Sequence, residues 1–219
     1  MENSNISLYK KDRNIIILSP FIIILINIIV ALSFGKLIGK WAFIPVILIE
    51  WCIFSFLIFR YGGINSVKNW LKKPQGGIGW TILALSTGLI CLPIFIFNKH
   101  LLTVWTIWLP WIALAVINPW LEEFYWRGLL SDYTNNWNKW LSIFYTSVVF
   151  SANHAVFGLN SNMLRGPELV TSTLIMGIIW AIVYKKTGSL RWAIFAHFMV
   201  DFLSLSAPAF LDLLNMGRR

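Results

Sequence analysis

From Asn14 to Phe34 the chain reads N-I-I-I-L-S-P-F-I-I-I-L-I-N-I-I-V-A-L-S-F, with no charged residue. A helix rises about 1.5 Å per residue, so a run of this length spans a hydrocarbon core about 30 Å thick. Backbone polar groups at that depth find no water. The run must therefore be a helix or a strand of a closed barrel. A barrel strand alternates apolar and polar positions, and this run does not. The same continuous pattern returns at Trp41–Phe59, Ile78–Phe97, Trp108–Leu130, Trp140–Phe157, Leu169–Tyr184 and Leu190–Ser206. The expected fold is all-α: a polytopic helical membrane protein with about seven transmembrane helices (six to eight) in one bundle.

The segments between the runs fit this plan. Met1–Arg13 reads as a short polar leader. The run after it is too long for a signal-peptide core and lacks a small-residue cleavage site, so it is expected to be retained. Arg60–Gly77 is a basic loop, Ser131–Lys139 and Gly158–Pro167 are polar loops, and Lys185–Ser189 is a tight turn. Leu101–Ile107 reads as interfacial or as an extension of the fourth helix, which is expected to bend at Pro119. Pro208–Arg219 reads as an amphipathic interfacial tail, and Asn215–Arg219 carries no prenylation signal. Residues 1–100 are expected to hold transmembrane helices 1–3. Residues 101–219 form the core, with helices 4–7 and the tail.

The net charge of +9 does not point to nucleic acid, because the basic residues are spread through short loops. Lys10, Lys11, Arg13, Arg60, Lys68, Lys72, Lys73, Lys139, Lys185, Lys186 and Arg191 fall on one side. They outnumber Lys36, Lys40, Lys99, Arg165, Arg218 and Arg219 on the other. The positive-inside rule then puts the N-terminus in the cytoplasm. Cys52 and Cys91 lie in apolar runs and are read as packing residues. The tryptophans at 41, 70, 80, 137, 140 and 192 are read as belt residues.

Against this background Leu121–Leu130, L-E-E-F-Y-W-R-G-L-L, stands out. One charge at the bilayer centre costs about 3 kcal/mol on insertion scales. Glu122, Glu123 and Arg127 therefore need partners. Glu123 and Arg127 are i,i+4 and can pair within one helix. Glu122 is rotated about 100° from Glu123 and is left for another face. His197 and Asp201 also share a face, and Phe150 stands one turn before His154. Counted along their helices at about 1.5 Å per residue, Glu122, His197, Asp201 and His154 lie roughly 13, 11, 17 and 21 Å deep, in one layer. Glu50 reads as a structural acid and His100 as interfacial.

A carboxyl group removed from water can take and return a proton near neutral pH. Nearby imidazoles can orient a water or donate to an oxyanion. Glu122, His154 and His197 can thus hydrolyse a peptide bond through activated water. The same three can hold zinc or another divalent metal with one position open. No H-E-x-x-H or G-x-S-x-G motif is present. A proton relay through Glu50, Glu122 and Asp201 is disfavoured, because the chain shows no internal repeat.

E-E-F-Y-W-R at 122–127, F-S-A-N-H at 150–154 and H-F-M-V-D at 197–201 occur in this order. The ordered set resembles the E-E-x-x-x-R, F-x-x-x-H and H-x-x-x-N/D motifs of the CAAX-protease and bacteriocin-processing (CPBP, or ABI) family of intramembrane endopeptidases. The run at 177–190 is also similar to the family's sixth-to-seventh helix turn. The resemblance covers about Pro119–Leu203. It implies an intramembrane protease in a bacterial cytoplasmic membrane, acting on a membrane-associated peptide or protein. Glu122 would activate water, His154 would assist, and His197 and Asp201 would stabilise the oxyanion, with Glu123, Arg127 and Phe150 in support. Many members carry asparagine where this chain has Asp201. An ionised aspartate only accepts hydrogen bonds, so Asp201 is expected to orient His197. A non-catalytic bacteriocin self-immunity or scaffold protein of the same fold, binding a bacteriocin or a sensor protein, is the alternative.

Overall fold

The computed structural model describes residues 2–214, with side chains from residue 12 onward. Every regular element in that range is helical. Helix α1 (Glu2–Ile38) turns at Gly39–Ala42, where Gly39 adopts φ 59°, a value that suits a residue without Cβ. Helix α2 (Phe43–Leu57) returns against α1. A π-turn (Ile58–Gly62) then leads into the short α3 (Gly63–Trp70). Helices α4 (Ile78–Leu89) and α5 (Leu92–Asn98) are separated just before Pro93, which lacks the N–H that would continue the helix. Helix α6 (Trp105–Glu123) runs through a second π-turn (Phe124–Leu129) into α7 (Leu130–Tyr133).

Helix α8 (Lys139–Ala155) begins where the Asn138 side chain accepts the Trp140 N–H at 2.9 Å, an N-cap that satisfies one orphan donor. Helix α9 (Pro167–Thr187) has proline at its start and ends at Gly188, φ 66°, with Lys185 and Lys186 in its last turn. All three features suit a helix of its direction. Helices α10 (Arg191–Leu203) and α11 (Ser206–Phe210) complete the described chain.

Among the described residues, three stretches are long and apolar enough to cross a membrane: Asp12–Trp70, Ile78–Thr103 and Pro167–Thr187. Helices α8 and α10 have 17 and 13 residues, short of a full span on their own. Leu18, Phe21, Ile22, Leu25 and Ile29 of α1 are exposed, as are Phe56 and Phe59 after the turn. Apolar surface on this scale is lipid-facing in a membrane protein.

Two apolar clusters form the interior. One gathers Phe54, Trp126, Phe150, Trp180 and Ala196. The other gathers Ile47, Leu114, Val156, Phe157 and Leu205. Helix α2 passes from one cluster to the other, as do α6, α8 and α10 together with the residues that follow them. At the crossing lie Glu50, Asn118 with Glu122, Asn153 with His154, and His197 with Asp201. Close helix approach sets this register. A Cβ on Gly88 of α4 would meet Met199 Cβ at 2.4 Å and the Ala196 carbonyl at 3.2 Å on α10.

Two expectations change here, those for Trp70 and Cys52. Pro208–Phe210 belong to α11, whose Ser206–Ala209 are buried against α6. Leu211 and Leu214 are buried as well, and Asn215–Arg219 lie outside the described residues. Trp70 is not a belt residue. It is buried, its indole donates to Asp132 at 2.8 Å, and a Cβ on Gly128 would lie 2.9 Å from its ring. Cys52 is exposed rather than packed. Helix α6 is continuous through Pro110 and Pro119 and gives way to the π-turn after Glu123.

Candidate active site

Asn118 and Glu122 lie one turn apart on α6 and share a face. The Asn118 amide donates to Glu122 Oε1 at 3.1 Å and to Asp201 Oδ2 at 3.3 Å. Its own oxygen accepts from the Trp51 indole of α2 at 2.9 Å. With Oε1 fixed, Glu122 Oε2 is buried and makes no hydrogen bond. It faces His154 Nε2 at 3.9 Å and His197 Nε2 at 4.0 Å. Three helices thus aim an oxygen and two ring nitrogens at one point.

Each histidine is oriented through its other nitrogen. His154 Nδ1 lies 2.9 Å from the Phe150 carbonyl. A carbonyl can only accept, so Nδ1 carries the proton, and Nε2 of the neutral ring offers a lone pair toward Glu122. The Phe150 ring lies tilted beside it with centroids 4.4 Å apart. His197 Nδ1 lies 3.0 Å from Glu123 Oε1, and its ring stacks on Trp180 at 4.7 Å. Asp201 Oδ2 is 3.7 Å from His197 Nε2, on the side opposite Nδ1. Glu123, not Asp201, therefore supplies the acceptor that fixes the His197 ring. The sequence expectation for Asp201 is corrected on that point.

Glu123 also pairs with Arg127 at 2.9 Å, both side chains fully buried. The Arg127 guanidinium lies 3.8 Å over the Phe150 ring and 5.2 Å from Trp180, contacts worth about 2 kcal/mol when desolvated. A Cβ on Gly177 would stand 3.2 Å from its terminal nitrogen, so a small residue makes the seat. The pair is not self-contained: one carboxylate oxygen serves both Arg127 and His197. The π-turn begins at the residue after Glu123. Such turns are rare and recur at functional sites.

Glu50 is buried on α2 and accepts from Asn153 at 2.7 Å. Asn153 in turn accepts from Asn27 of α1 at 2.9 Å. This chain of amides ends one residue before His154. His100 is exposed and takes no part. Sequence reasoning missed Asn118, whose i,i+4 spacing to Glu122 was a visible signal. It also missed the Trp180 stack, for which the sequence held none.

A metal can be tested against this geometry. Ligands bound to zinc at about 2.1 Å lie about 3.4 Å apart in a tetrahedron. The separations of 3.9 and 4.0 Å are wider. Among the described residues no group of three or more His, Cys, Asp or Glu side chains is spaced to hold a metal ion. A water bonded at about 2.8 Å to two atoms spans about 4.0–4.6 Å between them. The two separations lie closer to those a shared water spans than to those of zinc ligands.

No curated protein and no solved structure matches the chain. A family model described as type II CAAX prenyl endopeptidase Rce1-like matches residues 103–203. That segment contains Asn118, Glu122, Glu123, Arg127, His154, His197 and Asp201. Residues 103–203 are thus similar to a CAAX endopeptidase family, in keeping with the three motifs, and they sit among apolar helices long enough to cross a membrane.

Proposed function

We propose that the protein is an intramembrane endopeptidase in which Glu122 activates a water molecule. One observation carries the reading: a buried carboxylate oxygen without a partner faces the Nε2 atoms of His154 and His197. A water held there donates one hydrogen to Glu122 Oε2 and the other to the His154 Nε2 lone pair, which aims its oxygen at the scissile carbonyl. As the C–O bond forms, Glu122 takes the proton. Protonated His197, braced by Glu123, donates from Nε2 to the developing oxyanion. Glu122 then returns its proton to the leaving nitrogen as the C–N bond breaks. Asn118 holds Glu122 in place and ties it to Asp201.

The remaining parts of the reading follow from the same frame. Helices α1, α2, α4–α5, α6–α7, α8, α9 and α10 make seven crossings, with the N-terminus cytoplasmic. The substrate is a membrane-associated peptide or protein, and the family's description makes a C-terminally prenylated CAAX peptide the first to try.

The test uses the full chain in lipid nanodiscs, incubated with prenylated and unprenylated membrane peptides and read by mass spectrometry of the products. Wild type should cleave and Glu122→Gln should not. Cleavage retained in a folded Glu122→Gln protein removes Glu122 from the mechanism. A chain that cleaves no peptide, yet whose Glu122→Gln variant still protects cells from a bacteriocin, would favour the scaffold alternative.

A further inference from the structure

Helices α6 and α10 also enclose a groove of about 400 Å³, lined by Leu71, Val116, Trp120, Arg191, Ile194, Phe195 and Phe198. It lies behind the site, not within it. At about 100° per residue, Val116 and Trp120 stand roughly 120° and 160° around α6 from Glu122. Phe195 and Arg191 stand roughly 160° and 120° around α10 from His197. Val116, Trp120 and Phe195 are exposed at its walls, and Ile194 is buried beneath them. The surrounding surface of α6 is apolar too, with Trp108, Leu109 and Ile117 exposed.

Arg191 is the single charge in the groove. Its Nε donates to the Leu71 carbonyl at 2.6 Å, which pins one edge of the guanidinium. Its terminal amino groups make no bond among the described residues, and the side chain is exposed. It opens α10, and the N-terminal end of that helix adds positive potential. Lys72 and Lys73 follow Leu71 in the chain, and a Cβ on Gly188 would lie 3.3 Å from Lys72 Cε.

We propose that this groove binds an anionic phospholipid. An acyl chain lies along Val116, Trp120, Phe195 and Phe198, and the phosphate bonds to the free edge of Arg191. Charge complementarity selects the occupant. A hydrocarbon channel ending in one pinned guanidinium matches a tail ending in one phosphodiester. A zwitterionic lipid offers the same phosphate, but its cationic headgroup brings a charge of the same sign as Arg191. Because the walls are the backs of the two helices carrying Glu122 and His197, an occupied groove clamps them together.

The experiment takes the full chain in neutral detergent and measures binding of phosphatidylglycerol and phosphatidylcholine by native mass spectrometry, with thermal unfolding alongside. One cation near a headgroup is worth about fivefold in affinity. Wild type should therefore favour phosphatidylglycerol by at least that factor and unfold at a higher temperature with it. Arg191→Gln should lose the preference, whereas Lys99→Gln should keep it. Phe198→Trp, filling the groove, should weaken both lipids. Equal binding of the two lipids by wild type, or a preference that survives Arg191→Gln, overturns the assignment.

Discussion

Glu123 carries two duties on one oxygen, and they can be separated. Glu123→Leu leaves the Arg127 guanidinium buried at zero exposure with its carboxylate gone, a loss of about 3–5 kcal/mol. Arg127→Leu leaves the carboxylate with only His197 as partner and removes the guanidinium from the Phe150 ring. It should cost about as much, of which about 2 kcal/mol is the ring contact. In the double variant neither charge is stranded, so the stability cost should fall about 3 kcal/mol below the sum of the singles. Activity should not follow. The double variant still lacks the acceptor 3.0 Å from His197 Nδ1, and loss of such an orienting partner typically costs about 10- to 100-fold. Reversible unfolding in mixed micelles measures the first quantity and single-turnover peptide cleavage the second. Additive stabilities, or activity that recovers together with stability, would refute the double role.

Other expectations are more local. Asn118→Ala removes the amide that holds Glu122 Oε1 and Asp201, and should lower kcat about 10- to 100-fold with little change in KM. Prolonged treatment with a chelator should leave cleavage intact, and loss restored by added zinc would contradict the water geometry. Gly88→Ala drives a methyl into the Met199 Cβ and the Ala196 carbonyl, and should cost about 1–3 kcal/mol in an unfolding titration. Asp212 sits outside the spans. Partial burial pushes its carboxyl up, but bonds from Ser161, Met163, Lys40 and Asn162 outweigh this and hold it well below the usual range. A depressed carboxyl stabilises the fold above its unfolded pKa of about 3.9 and loses that contribution as pH falls through the folded value. The stability gap between wild type and Asp212→Asn should therefore be constant from about pH 5 to 8 and shrink below about pH 4.

The helical runs and the polar layer were legible because each rests on a local rule: apolar length for the runs, and i,i+4 spacing plus depth for the charges. What the sequence hid is the pairing between helices. Spacing placed Glu123 beside Arg127, but that the same oxygen meets His197 depends on how α10 is rotated, and no single-helix period records this. The Asp201 role was misassigned for the same reason. Position i+4 puts Asp201 on the His197 face, and only the packing shows that it lies nearer Nε2 than Nδ1. Trp70 looked like a belt residue because tryptophans near basic loops often are. Its burial depends on the partner Asp132 and on the missing side chain at Gly128, sixty residues away.

The Rce1-like segment is not a self-sufficient site. Asn118, which aims Glu122, takes its own hydrogen bond from Trp51 of α2. Asn153, beside His154, is held by Glu50 of α2 and Asn27 of α1. Tyr125 of the π-turn meets Ser19 of α1 at 2.6 Å. All four outside residues precede residue 103, where the family match begins. Buried amides and carboxylates stranded in an apolar bundle cost more than they contribute unless each is bonded. Helices α1 and α2 therefore do more than add membrane-spanning length: they satisfy the polar atoms that keep the Glu122 and His154 side chains in place.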